Sequence, residues 1–161
     1  MITLFREIVQ LFSSLQVDFI VVGGLAAIVH GSSRLTQDVD VVYSRTPDNL
    51  QRIVDALRPH EPYLRGAPPG LPFLWDVRTL KNGLNFTLRT KLGDIDLLGE
   101  IVGGGRYENL LPHSREMPMF GIRAKVLGLD KLIEVKRAAG RPKDFEVIAE
   151  LEAIREELKA Q

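Results

Sequence analysis

The sequence predicts a protein of the α/β (α+β) class, strands layered with helices and a helical C-terminal end. Three observations carry that expectation. Apolar residues recur at helical spacing in several segments, short β-branched runs lie between them, and hairpin patterns precede a closing pair of helices. The order is α-β-α-β-α, then hairpins, then two helices.

Leu4, Ile8, Leu11, Phe12 and Leu15 follow Thr3 at helical spacing, so Thr3 reads as the N-cap of a first helix. Phe19-Ile20-Val21-Val22 is a buried strand that stops at Gly23-Gly24. A short helix from Leu25 to Val29 is closed by Gly31, and Val39, Val41 and Val42 alternating with Asp38 and Asp40 make a second strand. Thr46-Pro47 opens the next helix in cap-then-proline order, with Leu50, Ile53, Val54 and Leu57 on its inner face. Between Pro59 and Pro72, five prolines plus Gly66 and Gly70 predict a long loop with neither helix nor strand. Leu84 to Arg89 and Ile95 to Leu98 form a hairpin about Gly93, Gly103-Gly104-Gly105 marks a loop, and another hairpin turns around Gly121. A helix from Leu129 to Ala139 and, after Gly140 and Pro142, a closing helix to about Lys159 finish the chain, the last with Val147, Ile148, Leu151, Ile154 and Leu158 as its stripe.

Composition narrows the function. The 161 residues suit one domain over 1–161, with the C-terminal helices of about 128–160 as a small subdomain. At 45% apolar and 26% charged, the chain is neither disordered nor collagen-like. Twenty-one basic residues against 21 acidic ones exclude indiscriminate coating of polyanions. The absence of cysteine removes disulfides, thiolate catalysis and Cys-based zinc sites. No apolar run reaches the roughly 18 residues of a membrane span, and the start is amphipathic rather than signal-like, so the expected location is the cytoplasm, with no membrane partner.

The chemistry concentrates in the acids. Asp38 and Asp40, two apart in a strand, point to one face roughly 6–7 Å apart along the chain. Asp96 lies in a second apolar strand, with Asp94 on its face nearer the turn. If the strands pair, three carboxylates converge, which is unfavourable unless a proton or a cation resolves the charge. Mg²⁺ suits an all-oxygen set without His or Cys. The plainer reading of Asp38 and Asp40 is the solvent face of a half-buried sheet; a third acid on another strand counts against it. Gly23-Gly24 after a strand lets backbone N–H groups approach a phosphate, although a lone Gly-Gly is more often a tight turn.

The stretch GGLAAIVHGSSRLTQDVDVVY with Asp96 in GDIDLLG resembles the active-site signature of the DNA polymerase beta-like nucleotidyltransferase superfamily. LGLDKLIEVKRAAGRPKDFEVIAEL is similar to the small AbiEii-like, toxin–antitoxin-type members. The resemblance implies a nucleotidyltransferase fold: a twisted mixed sheet with flanking helices and a C-terminal helical pair. It implies that Asp38, Asp40 and Asp96 hold Mg²⁺, for which four positive charges against three negative favour two ions, and that Gly23 and Gly24 lie against the triphosphate of an NTP. It also implies roles near the nucleotide or its acceptor for Lys136, Arg141, Lys143 and Asp144. Many active members carry Ser as the second residue of the turn, where this chain has Gly24; Ser32, Ser33 and Thr36 are the neighbouring hydroxyls.

Read from the residues alone, Lys136 continues the inward stripe of its helix and either snorkels out or meets an anion. Arg141 and Lys143 flank the start of the last helix, an end that prefers anions, whereas Asp144 suits it as a capping acid. Arg34 either reaches a phosphate or sits on a surface loop. Residues 123–143 hold seven basic side chains against two acidic, a net of +5, so the neutral total hides a basic patch. His30, His60 and His113 have no metal-ligand spacing, and Tyr63, Phe73 and Trp75 read as an aromatic plug under the proline-rich loop. The expected function is Mg²⁺-dependent transfer of a nucleotidyl group from an NTP to a hydroxyl of RNA, protein or a small molecule, with an antitoxin-like partner. The alternative is a catalytically silent nucleotide-binding or partner-binding module on the same fold.

Overall fold

The structure, a computed structural model, describes residues 2–161. In chain order the elements are α1 (Phe5–Ser14), β1 (Phe19–Val22), α2 (Gly23–Val29), β2 (Asp38–Tyr43), α3 (Pro47–Leu57), β3 (Tyr63–Leu64), α4 (Val77–Asn82), β4 (Asn85–Thr90) and β5 (Gly93–Leu98). There follow β6 (Glu100–Ile101), β7 (Gly105–Arg106), α5 (Tyr107–Leu110), β8 (Ser114–Met119), β9 (Ile122–Leu127), α6 (Leu129–Ala139) and α7 (Pro142–Lys159). Seven strands form one mixed sheet in the order β3-β4-β5-β2-β1-β9-β8, and β6 and β7 make a separate two-stranded hairpin.

The pairing brings the two acidic strands side by side. β2 runs parallel to β5, with Asp38 opposite Asp94 and Asp40 opposite Asp96. β1 runs antiparallel to β2 with Val22 opposite Asp40, so the chain leaves the sheet at Gly23 directly beside that carboxylate. One face of β2 and β5 is packed solid: Val39, Val41, Ile95 and Leu97 are fully buried. A two-residue period then forces the acids onto the opposite, partly open face. Register, and not only composition, makes the site. A slip of one residue would bury the aspartates in the core and expose the valines.

Helix caps follow local chemistry in most places. Thr46 caps α3 by accepting from the Asn49 N–H, with Pro47 as the first helical residue. Asn49 is itself buried and ties the turn before β1 to the end of β2 through Asp18 and the Ser44 carbonyl. α6 starts at Leu129, ends at Ala139 and is closed by Gly140 in the left-handed region, as its sequence predicts.

Four expectations need correction. Thr3 does not cap α1, whose N-cap is Leu4 without a side-chain cap. Its buried hydroxyl instead donates to the Gln37 carbonyl and accepts from the Asp94 N–H at 3.1 Å, pinning β5 to the entry of β2. The segment from Pro59 to Pro72 is not all loop: a 3₁₀ turn covers Arg58–His60, and β3 adds an edge strand to β4. An edge tolerates flanking prolines because only one side must donate. α4 and α5 come in addition to the elements expected from periodicity, since six and four residues are too few to show a 3.6 period. The Gly103–Gly105 stretch is the tip of the β6–β7 hairpin. The aromatic plug is as expected: Phe73 packs between Tyr63, edge to face, and Trp75, tilted, and the Trp75 indole donates to the Val54 carbonyl at 3.0 Å.

Candidate active site

The eleven residues singled out from the sequence (Gly23, Gly24, Arg34, Thr36, Asp38, Asp40, Asp96, Lys136, Arg141, Lys143 and Asp144) line one cavity of about 290 Å³. Its floor is acidic. One carboxylate oxygen from each of Asp38, Asp40 and Asp96 lies within 4.8 Å of the others. Burial, and then the charges of Asp38 and Asp96, push the Asp40 carboxyl up to about 8, with Lys136 opposing. Asp38 is raised by burial and by Asp96, against Arg65 and Thr36. Asp40 Oδ1 is buried without a hydrogen-bond partner. Such an orphaned acceptor carries a desolvation penalty that a proton or a cation would remove.

Arg65 is the residue that sequence reasoning missed. It stands just past β3, its backbone N–H on the Thr87 carbonyl, and its guanidinium reaches back across β4. One nitrogen donates to Asp96 Oδ1 at 2.9 Å and to the Leu88 carbonyl; the others lie 3.7 Å from Asp38 and 3.4 Å from Asp94. A fork of fixed geometry fits several carboxylates at once, as a lysine would not. It is not among the residues that line the cavity, so it braces the acids without taking up that space. The available signal was charge balance: Arg65 is the one Arg or Lys between Arg58 and Arg78, in the strand layer that carries four acids.

The glycine turn is shaped by its neighbours. Gly23 has φ +64, and any Cβ there would collide with Asp40 Oδ2. Gly24 has ordinary backbone angles, but its Cβ would lie 2.8 Å from Thr36 Oγ1 and 2.9 Å from Thr36 Cβ. Thr36 therefore fills the place that a side chain at position 24 would take. Its hydroxyl stands on the cavity wall, 3.4 Å from Asp38 Oδ1. Ser32 and Ser33 are engaged elsewhere: both donate to Glu150, which they hold at about 2, well below the usual carboxylate range.

The basic side is more varied than its charge count suggests. Lys136 is buried, as its place on the inward stripe predicts, and burial pulls its ammonium down while Asp144 and Asp40 hold it up. Arg141 is the N-cap of α7 and grips Asp144 with Nε at 2.8 Å and Nη2 at 3.2 Å, so the buried Asp144 acts as the capping acid. Arg34 pairs with Glu146 at 3.0 Å in an exposed bridge that a ligand anion could displace. Lys143 forms no ion pair among the described residues.

An all-oxygen donor set, an orphaned Asp40 oxygen and a turn that only glycine can make above it fit Mg²⁺. Oxygen ligands on rigid strands, with room for phosphate on one side, are what that ion accepts in nucleotide chemistry.

A family described as "nucleotidyltransferase of unknown function (DUF6036)" matches residues 1–88, the part that holds Gly23, Gly24, Asp38 and Asp40. No curated protein matches the chain by sequence. Among solved structures, the chain is similar to the lincosamide antibiotic adenylyltransferase LnuA in its lincomycin-bound form, at 14% identity and a TM-score of 0.63, covering 95% of this chain and 98% of that one. It is also similar to a Thermotoga maritima protein described as a nucleotidyltransferase, at 13% identity and a TM-score of 0.53, covering 98% of this chain and 93% of that one. At these identities the likeness speaks for the fold, which matches the mixed sheet and helical C-terminal end expected from the sequence.

Proposed function

The chain belongs to the DUF6036 family of nucleotidyltransferases of unknown function, and from that premise we propose that it moves a nucleotidyl group from an NTP to an acceptor hydroxyl, releasing pyrophosphate. The observation that supports this most is the convergence of Asp38, Asp40 and Asp96 at the bottom of a cavity whose walls are glycine backbone and basic side chains.

In this reading Asp38, Asp40 and Asp96 hold Mg²⁺, two ions on charge grounds. Bound there, Mg²⁺ would shield the leaving pyrophosphate and sharpen the attacking hydroxyl. The remaining work belongs to the chain. Gly23 and Gly24 let backbone amides close on the phosphates without a side chain intervening. Thr36 offers the hydroxyl that relatives place on the turn itself. Lys136, Arg34 and Lys143 draw the triphosphate tail into the cavity, and Asp144 fixes Arg141 at its rim. Arg65 holds Asp96 by one oxygen, and the other would take the acceptor proton. The acceptor is an RNA end, a protein side chain or a small molecule, and an antitoxin-like partner would act by covering the cavity mouth.

A silent module on the same fold rests on Gly24 in place of Ser. The occupation of that space by Thr36 takes away most of its force. Incubation with each labelled NTP, Mg²⁺ and fractionated lysate tests the proposal: the wild type labels an acceptor and releases pyrophosphate, and Asp40→Ala and Asp96→Ala do neither while keeping their fold. Undiminished transfer in both variants would overturn it.

A further inference from the structure

A second cavity, about 230 Å³, adjoins the first across the catalytic wall, sharing Gly23, Asp40, Lys136 and Arg141 with it. Beyond those four the character changes. Its walls are Leu98, Ile101, Val102, Leu132, Val135 and Ala139, from the end of β5, the β6–β7 hairpin and the inner face of α6. The cleft is built rather than incidental. The hairpin docks on α6 through Gly103, whose Cβ would collide with that of Ala138. Asn85 fixes the other end, accepting from the Gly99 and Glu100 N–H groups and donating to the Glu100 carbonyl. With Asn85 so engaged, the carboxylate of Glu100 is the free polar side chain; it forms no ion pair among the described residues.

We propose that this cleft receives the acceptor, and that the acceptor is a small apolar-bodied alcohol, neutral or positively charged. The inference rests on the nucleotidyl-transfer reading and deepens it. In phosphoryl-group chemistry the attacking and leaving oxygens lie roughly in line on opposite sides of phosphorus. The pyrophosphate belongs to the basic cavity of Arg34 and Lys143, so the attacking molecule approaches from the far side of Asp40, where the apolar cleft opens. The acceptor oxygen bonds to the α-phosphorus as the bond from that phosphorus to the pyrophosphate oxygen breaks. The hydroxyl proton passes to a carboxylate of the site, and the products are a phosphodiester and pyrophosphate.

The walls select the class. A polynucleotide end asks for cations along its backbone and flat rings against its bases. This cleft offers seven aliphatic side chains, Val22 included, with one amide already engaged and one carboxylate, and its only cations are on the shared wall. At roughly 30 Å³ of liquid volume per water, it holds about eight waters, the bulk of a ring or branched chain rather than a polymer segment.

The test is methyl NMR on protein labelled at Ile, Leu and Val, with cyclohexylmethanol, cyclohexanecarboxylate and the non-hydrolysable α,β-methylene-ATP plus Mg²⁺ as probes. Leu35 and Val147 report the basic cavity, and Leu98, Ile101, Val102, Leu132 and Val135 the cleft. The nucleotide analogue should move the first set. In its presence the alcohol should move the second set saturably, with the carboxylate about tenfold weaker. Val102→Asp, at a largely exposed position that tolerates it, should weaken the alcohol about tenfold and leave the analogue within about twofold. Cleft methyls that respond to the analogue alone, with the alcohol displaced, would make the cleft the nucleoside's and overturn the proposal. So would equal binding of the carboxylate, or no saturable response to the alcohol. Failure of the analogue to move Leu35 or Val147 would instead overturn the transfer reading, whatever the alcohol does.

Discussion

Replacing Asp40 by Asn should stabilise the metal-free protein, an unusual outcome for a change at the centre of a site. Burial and two neighbouring acids raise the Asp40 carboxyl from its ordinary 3.8 to about 8. The folded state therefore holds a proton that the unfolded chain releases near pH 4. Where the native state binds more protons than the unfolded one, stability falls as pH rises. The loss begins above about pH 4, grows to about pH 8 and then levels off. Roughly four decades of proton affinity correspond to a ceiling of about 6 kcal/mol. Asp38 is itself raised by burial and by Asp96 and shares the repulsion, so about 2–4 kcal/mol is the expected gain at pH 8. For a chain of this size that is about 6–12 °C in melting temperature. Asparagine keeps the shape, and its amide can donate to the acids that repelled the carboxylate. Trp75, the single tryptophan and a buried one, gives the signal for urea unfolding in EDTA between pH 4.5 and 8.5. The variant's advantage should shrink towards pH 4.5, and saturating Mg²⁺ should restore the wild type but not the variant. An Asp40→Asn protein no more stable than wild type at pH 8 without metal would refute the reasoning.

Other perturbations follow from the same neighbourhood. Arg65→Ala should cost about 1–3 kcal/mol in urea unfolding, because three carboxylates lose a half-buried partner, and Arg65→Lys should recover little of it. Thr3→Val preserves shape but strands the Gln37 carbonyl and the Asp94 N–H, so a loss of about 1–3 kcal/mol is expected by the same measurement. Gly24→Ser should destabilise the wild type by about 1–3 kcal/mol through overpacking against Thr36, and the pair Gly24→Ser with Thr36→Gly should regain most of that, which a double-mutant cycle reads directly.

Much of the fold was legible because its long elements obey simple periods. α6 and α7 carry their caps and stripes openly, and the acids alternate with valines in a strand that can face only one way. The pairing of β2 with β5 was a condition in the sequence and became a fact only through tertiary structure. Thr3 shows where local rules stop. A threonine before an apolar helix is a cap by propensity, yet its hydroxyl was worth more across 34 and 91 residues of chain separation. Arg65 was hidden for a related reason. Its neighbours in sequence are prolines and glycines, and its partners lie on strands that come later or earlier in the chain. Nothing local distinguishes such an arginine from a solvated one.

The contact between Gly24 and Thr36 bears on how this family is read from genomes. If position 24 and position 36 compete for one volume, they form a single character with two states. Serine on the turn would travel with a small residue on the loop, and glycine on the turn with threonine on the loop. A search that scores the turn alone would miss the hydroxyl that the loop supplies in chains like this one. Scoring the two positions together would sort relatives by whether a hydroxyl stands on this cavity wall at all, whichever part of the backbone delivers it.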